Sequence, residues 1–288
     1  MYVSILCLLA ILCIVNSSWS EEQEKKSAIS AESKQTKALP INPPKHDGIY
    51  VVAHRGLHNG IPENTIPAYQ KAIELDVDFV EIDVRTTKDG KFVSIHNDSI
   101  DAYVPGKTGK VKDFTLEELR SFDVGSRIGP EWKGTQIPTF EEILDQCKGK
   151  CGVYLDLKEA PIAPLVKLIK KRDMESDVIW FGTVNSIEAF KELQKLCPEC
   201  VPMPDPGPES NLPILFEELK PRVIASAWKR YSSTFAEKCH AQGAIVIMDD
   251  SDPGCWEQAI EWGVDGIQTD HPKELIELLE KKQKTEHK

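Results

Sequence analysis

From Thr139 to the C-terminus the chain alternates between short apolar runs and stretches whose apolar residues recur at helical spacing. The spacing predicts helices over Phe140 to Cys147, Ile162 to Arg172 and Ile187 to Leu196, with strands at Val153 to Leu157 and Val178 to Phe181. Further strands are expected near Val201 to Met203, Val223 to Ala227, Ala244 to Met248 and Gly266 to Thr269. Helices near Leu212 to Leu219, Ser233 to Gln242, Gly254 to Trp262 and Lys273 to Lys282 separate or follow them. Upstream, Ile49 to Ala53 and Phe79 to Val84 read as two more strands, joined by a helix that Asn64 or Thr65 can cap and that carries Ala68, Ala72, Ile73 and Leu75 on one side. Eight strands alternating with helices imply an α/β fold of the closed (β/α)8 TIM barrel type rather than an open sheet. A chain of 288 residues, 41% of them hydrophobic, can bury such a core in a single domain. Functional side chains in this architecture come from the C-terminal ends of the strands.

Those ends are rich in chemistry. The first strand delivers His54, Arg55 and Gly56, and the second carries Glu81 and Asp83, which share a face because strand side chains alternate. The turn Lys88-Asp89-Gly90 is too short for a crossover helix, so Phe92 to Ile95 must return antiparallel, an extra hairpin strand outside the eight. Its register brings His96 roughly opposite Asp83. On the third barrel strand Asp156 and Lys158 stand two apart and point the same way. Glu81, Asp83 and Asp156 can together hold one hard divalent ion through oxygen, Mg²⁺ or Ca²⁺.

The set His54-Arg55-Gly56, Pro62-Glu63-Asn64-Thr65, Glu81-Ile82-Asp83 and His96, in that order, resembles the glycerophosphodiester phosphodiesterase family. It is more distantly similar to the phosphatidylinositol-specific phospholipases C, which share the paired histidines and the E-x-D strand. The likeness spans about residues 49 to 273 and is strongest up to about 160. It implies metal-dependent hydrolysis of glycerophosphodiesters to an alcohol and sn-glycerol 3-phosphate. His54 and His96 would serve as acid and base in unassigned order, with Arg55 and Lys158 neutralising charge on the substrate. The family usually has a glutamate in E-x-K where this chain has Asp156, which is one methylene shorter, so the ion would sit nearer that strand or bind through water. Two other readings stay open: a phospholipase-type cleavage that yields a cyclic phosphate, and a barrel that binds a phosphodiester without turning it over.

Recognition is carried by less specific residues. Where the family has W-T-V-N after the seventh strand, this chain has Met248-Asp249-Asp250-Ser251, and Trp228 after the sixth strand could supply an apolar wall or simply pack on a helix. Asp249 and Asp250 suit polyol hydroxyls, or cap the helix after Pro253. The insertion from Asp98 to Pro138, with a short helix at Thr115 to Leu119, is expected to form a lid. His58 is read as a solvated loop residue and Glu63 as a support for the helix start. His46, His240 and His287 are read as structural or solvated, and His271 as a residue near the mouth.

At the N-terminus, the apolar run Val3 to Val15 followed by Ser18 and Ser20 reads as a signal peptide over residues 1–20. A flexible spacer, 21–47, then precedes the barrel domain, 48–280. The expected location is therefore outside the cytoplasm, periplasmic or extracellular, with no stable membrane insertion once the signal is cleaved. Thirty-five basic against 46 acidic residues, a net charge of −11, argue against nucleic acid as a partner. The expected partner is a small glycerophosphodiester, and oligomeric state is not legible. In an exported chain Cys147 with Cys151 and Cys197 with Cys200 suit local disulfides at the bottom of the barrel. Free thiols and a zinc site drawing both pairs together are the alternatives.

Overall fold

The computed structural model describes residues 41–249 and 252–286. The expected signal peptide, most of the spacer, Asp250, Ser251 and His287 lie outside the described residues. Among those described, no helix is long and apolar enough to cross a membrane.

Eight parallel strands form the barrel: β1 (Tyr50–Ala53), β2 (Phe79–Thr86), β4 (Gly152–Glu159), β5 (Val178–Thr183), β6 (Val201–Asp205), β7 (Val223–Ala227), β8 (Ile245–Asp249) and β9 (Gly266–Thr269). Hydrogen-bonded neighbours run β6-β5-β4-β2-β1-β9-β8-β7, and β6 lies beside β7, nearly closing the ring. The remaining strand, β3 (Phe92–Ser94), pairs antiparallel with β2 as the short turn requires. Helices α1 (Ile66–Glu74), α3 (Phe140–Cys147), α4 (Ile162–Lys170), α5 (Ile187–Leu196), α6 (Leu212–Glu218), α7 (Ser233–Ala241), α8 (Trp256–Glu261) and α9 (Pro272–Glu286) surround the strands, and α2 (Leu116–Arg120) belongs to the insertion. Capping boxes start α2 and α3, Thr115 with Glu118 and Thr139 with Glu142, each satisfying two backbone donors that the first turn leaves open.

Register decides which side chains face the barrel interior. Asp83 pairs with Asp156, Asp156 with Phe181, and Phe181 with Met203, so these four form one inward rung, since laterally paired residues project to the same side. The alternate residues Val51, Ile82, Leu155, Trp180, Val246, Met248 and Ile267 pack with helix residues such as Phe140, Leu165, Phe235 and Trp256 in the main apolar core. This overturns one expectation. Met248 is fully buried in that outer layer, so it does not face the mouth and cannot shape a head-group pocket. Asp249, next in sequence, has the inward register, level with Ala227 and Gln268, and is exposed.

The insertion is more than a loose flap. It builds its own apolar cluster from Ile100, Tyr103, Val104, Val111, Leu119, Val124 and Ile137, seated on Val93 and Ile95 beside β3. Trp132 Nε1 ties it to the loop after β1 by donating to the Gly60 carbonyl at 2.8 Å. At the opposite end of the barrel, Cys197 and Cys200 form a disulfide just before β6. The second expected bridge is absent: Cys147 and Cys151 are unbridged thiols in mutual hydrogen-bond contact, one on the last residue of α3 and one before β4. With Cys197 and Cys200 joined, the two pairs cannot together supply four thiolates to one zinc ion.

Gly56 holds the turn between β1 and α1. Its φ is +80°, and a Cβ there would meet the Ala68 backbone at 2.7 Å, so both conformation and space demand glycine. Gly60, at φ +75°, has open space around it. Gly56→Ala is therefore expected to destabilise the protein by about 2 kcal/mol or more and Gly60→Ala by about 1 kcal/mol. Urea unfolding checks this, and equal losses would show that the approach to α1 carries no cost.

Candidate active site

The inward rung and the loops above it gather the charged residues at one end of the barrel. Glu81, Asp83 and Asp156 offer carboxylate oxygens that all lie within 4.8 Å of one another. Glu81 and Asp83 are buried and Asp156 is half-buried. Burial, and then the charges of Asp83 and Asp156, push the Glu81 carboxyl well above the usual carboxylate range. Burial also raises Asp156, against the opposing pull of the Lys158 ammonium 2.5 Å away. Lys158 itself is held above its ordinary value: burial works against its charge, but Asp156 and Asp83, the latter at 3.3 Å, outweigh it.

Arg55 approaches from the first strand in a strained conformation. Its φ of +53° turns its backbone N–H onto Glu81 Oε2 at 2.8 Å. Its side chain donates to Glu63 Oε1 at 3.1 Å, and Tyr103 of the insertion donates to that same oxygen at 3.3 Å. Glu63 thus supports Arg55 rather than the helix start. Asn64, at φ +54°, is not the helix cap, a position that Thr65 occupies. Its amide donates to Asp83 Oδ2 at 2.7 Å, while its carbonyl oxygen accepts from Tyr69 and Ser94 at 2.8 Å each.

Two buried atoms at the centre make no hydrogen bond and are held only by ion-pair contacts: Asp83 Oδ1, 3.3 Å from Lys158 Nζ, and Arg55 Nε, 3.7 Å from Asp83 Oδ2. Buried polar groups nearly always make hydrogen bonds, so each of these atoms indicates what the site is shaped to receive. An acceptor flanked by two further carboxylates suits a hard cation, and three oxygen donors match Mg²⁺ or Ca²⁺ chemistry. A guanidinium N–H beside it suits an anionic oxygen. The donor set therefore fits a divalent ion next to a phosphate.

Both histidines reach this end of the barrel. His54 Nε2 is 4.0 Å from Glu81 Oε2, and its Nδ1 is 2.6 Å from Asp270 Oδ1. A carboxylate can only accept, so the proton sits on Nδ1 and the Nε2 lone pair is left toward the carboxylates. His96 follows Ile95, whose amide bonds the Asp83 carbonyl at 3.0 Å, so Ile95 takes the place opposite Asp83 and His96 comes one residue later. Arg85 clamps that turn, donating to the His96 carbonyl at 2.6 Å, and the His96 charge favours the ionised form of Asp156.

Asp270, Asn64 and Arg85 were given no role in the site from the sequence, Asn64 being read as a candidate helix cap. Asp270 lay inside Thr269-Asp270-His271-Pro272, where the inward register after β9 favours it over His271, whose ring is 4.0 Å from Glu274 on the surface. His58 is not a solvated loop residue: its Nε2 is 2.9 Å from the same Asp270 oxygen. Trp228 takes the packing alternative, stacking on Trp262 at 5.3 Å and 23°. His46 and His240 are engaged away from the site, with the Asp76 carbonyl and with Asp265.

The raised Glu81 pKa has a sign that can be tested. A carboxyl that prefers its proton when folded contributes stability below its unfolded value, about 4.3, and loses it as pH rises through the folded value. In EDTA, Glu81→Gln is accordingly expected to melt higher than the wild type at pH 7 to 8, with the gap closing toward about pH 4. Thermal melts across that range check it, and a gap that is constant or widens on acidification contradicts it.

The glycerophosphoryl diester phosphodiesterase family model matches residues 54–191. A glycerophosphodiester phosphodiesterase of Caldanaerobacter subterraneus subsp. tengcongensis is 32% identical over 252 residues, covering 80% of this chain and 98% of that protein. Among solved structures, that of a glycerophosphodiester phosphodiesterase from Agrobacterium tumefaciens superposes with a TM-score of 0.68 at 26% identity, covering 78% of this chain and 97% of the other. The Oleispira antarctica phosphodiesterase in complex with the product sn-glycerol-3-phosphate superposes with a TM-score of 0.72 at 25% identity, covering 80% and 96%. A barrel with this order of strands, this cluster at their C-terminal ends and a relative matched along nearly its whole length identify the chain as a member of the glycerophosphoryl diester phosphodiesterase family.

Proposed function

We propose that the chain hydrolyses small glycerophosphodiesters to an alcohol and sn-glycerol 3-phosphate at the C-terminal end of the barrel. The observation that carries this is the contact of Arg55 with Asp83 at 3.7 Å, with the buried Asp83 Oδ1 and Arg55 Nε making no hydrogen bond, one fitted to a cation and the other to a phosphate oxygen. The bound product of the Oleispira antarctica phosphodiesterase agrees with it.

Glu81, Asp83 and Asp156 would hold the ion, Mg²⁺ or Ca²⁺, which when bound polarises a nonbridging oxygen and acidifies the attacking hydroxyl or water. Arg55 orients the phosphate through Nε, its own position fixed by Glu63 and its amide by Glu81. His54 acts as general base, because Asp270 keeps the proton on Nδ1 and so leaves Nε2 ready to accept one. His96, which follows β3 and is near enough to Asp156 to bear on its ionisation, then protonates the departing alkoxide. Lys158, already shared between Asp156 and Asp83, can follow the negative charge that develops on phosphorus. The half-exposed Phe181, beside Asp156 in the inward rung, and the exposed Asp249 on β8 are residues that the alcohol would contact. The reading also places the enzyme outside the cytoplasm, supported by the apolar run Val3 to Val15 and by the disulfide between Cys197 and Cys200.

Incubation with glycerophosphocholine and separation of products by phosphorus NMR tests the reading. The expected product is sn-glycerol 3-phosphate, formed with Mg²⁺ or Ca²⁺ and not in EDTA. Accumulation of a cyclic phosphate as the end product would favour the phospholipase-type route, and absence of turnover with either ion would leave a binding protein. His54→Ala and His96→Ala should each lower kcat about a hundredfold or more while melting within a few degrees of the wild type. Near-normal turnover in either removes it from the acid/base pair. Asp156→Glu, which supplies the longer carboxylate usual in the family, should retain activity where Asp156→Ala does not. Equal losses would show that the site is built for the shorter side chain.

A further inference from the structure

Beside the carboxylates lies a second set of donors with different chemistry. His54, His58 and Asp270 each offer a ligand atom, a ring nitrogen or a carboxylate oxygen, and these lie within 4.8 Å of one another, with all three residues half-buried and within reach of a hydrated ion. Asp270 Oδ1 is the shared point, 2.6 Å from one ring and 2.9 Å from the other, and the rings meet edge to face at 6.2 Å. Two imidazole nitrogens and a carboxylate are the donor set of a zinc-type ion, whereas Glu81, Asp83 and Asp156 offer oxygen alone. The two sites are thus sorted by softness, and His54 belongs to both, with Nδ1 facing one and Nε2 facing the other.

We propose that His54, His58 and Asp270 form an inhibitory site for Zn²⁺ or a similar borderline ion. The inference rests on the role given to His54 above. As the ion enters, the three donors spread from hydrogen-bond distances to the separation that ligands of about 2.0 Å bonds require. The His54 proton leaves Nδ1, whose lone pair binds the metal, and the neutral ring then carries a proton on Nε2. His58 makes the reverse change, its proton moving from Nε2 to Nδ1 so that the Nε2 lone pair binds the metal. With Nε2 of His54 protonated in the uncharged ring, the ring has no lone pair to accept a proton from the nucleophile, and hydrolysis stops even with the carboxylate site filled. Inhibition is therefore expected to persist at saturating Mg²⁺, because the two ions occupy different donors.

The test uses the full chain with ZnCl₂, and with CoCl₂ as a spectroscopic substitute, in the presence of saturating Mg²⁺. Calorimetry should find one Zn²⁺ per chain, and Co²⁺ should show the visible absorption of a low-coordinate, nitrogen-bound ion. His58→Ala should weaken both at least about tenfold, with Asp270→Asn as an independent second variant, while Asp156→Ala should leave them unchanged. These readouts do not require activity, so they hold or fail apart from the hydrolytic reading. Inhibition of the wild type by Zn²⁺ should be insensitive to further Mg²⁺. No Zn²⁺ binding, Zn²⁺ that Mg²⁺ displaces, or binding lost in Asp156→Ala but kept in His58→Ala and Asp270→Asn would each overturn the proposal.

Discussion

Three carboxylates at neighbouring strand ends, two of them buried, cannot all ionise without positive charge close by, and the upper barrel is arranged around that constraint. Removing an ion from water costs several kcal/mol even after relaxation, and the protein meets the cost with donors from four directions. The Arg55 amide reaches Glu81, the Asn64 amide and Arg55 guanidinium reach Asp83, and Lys158 bridges Asp83 and Asp156. The compensation is incomplete. The Glu81 and Asp156 carboxyls are still held above the usual carboxylate range, and Asp83 Oδ1 has only the Lys158 ion pair at 3.3 Å and no hydrogen bond. The remaining deficit is what a divalent cation would fill, so the same imbalance that costs stability would give the site affinity for one.

Further support lies one layer out. Left-handed backbone at Arg55 and Asn64, two residues that pay a conformational cost, aims their amides and side chains inward, and Gly56 allows α1 to close against that turn. The insertion contributes through Tyr103, which holds Glu63, which holds Arg55, so a segment far from the carboxylates in sequence stiffens the guanidinium. Asp270 does the same for His54 from the last barrel strand, closing the ring of support where β9 meets β1.

Strand positions and the carboxylate cluster were legible in the sequence because strand periodicity is local: Glu81 with Asp83, and Asp156 with Lys158, declare a common face without any tertiary knowledge. The eight-fold alternation was legible for the same reason. Features that depend on which strand meets which were not. Asp270 stands 216 residues from His54, and only the pairing of β9 with β1 brings them together. Met248 shows the opposite failure, since a motif position suggested a mouth residue while a one-residue change of register puts it among the helices. Asn64 looked like a helix cap because its residue type suits that task, and its positive φ, invisible in sequence, directs it to Asp83 instead. Of the two cysteine pairs, spacing did not distinguish the bridged from the unbridged one.

One divalent cation is expected to fill the deficit among Glu81, Asp83 and Asp156. Crystals grown with CaCl₂ and measured for anomalous scattering test it directly. One peak is predicted, bound by oxygens of all three residues at about 2.3 to 2.6 Å, with the Lys158 ammonium displaced from Asp83 Oδ1. Full-occupancy crystals with no peak between those carboxylates, and Lys158 still spanning Asp83 and Asp156, would contradict the account.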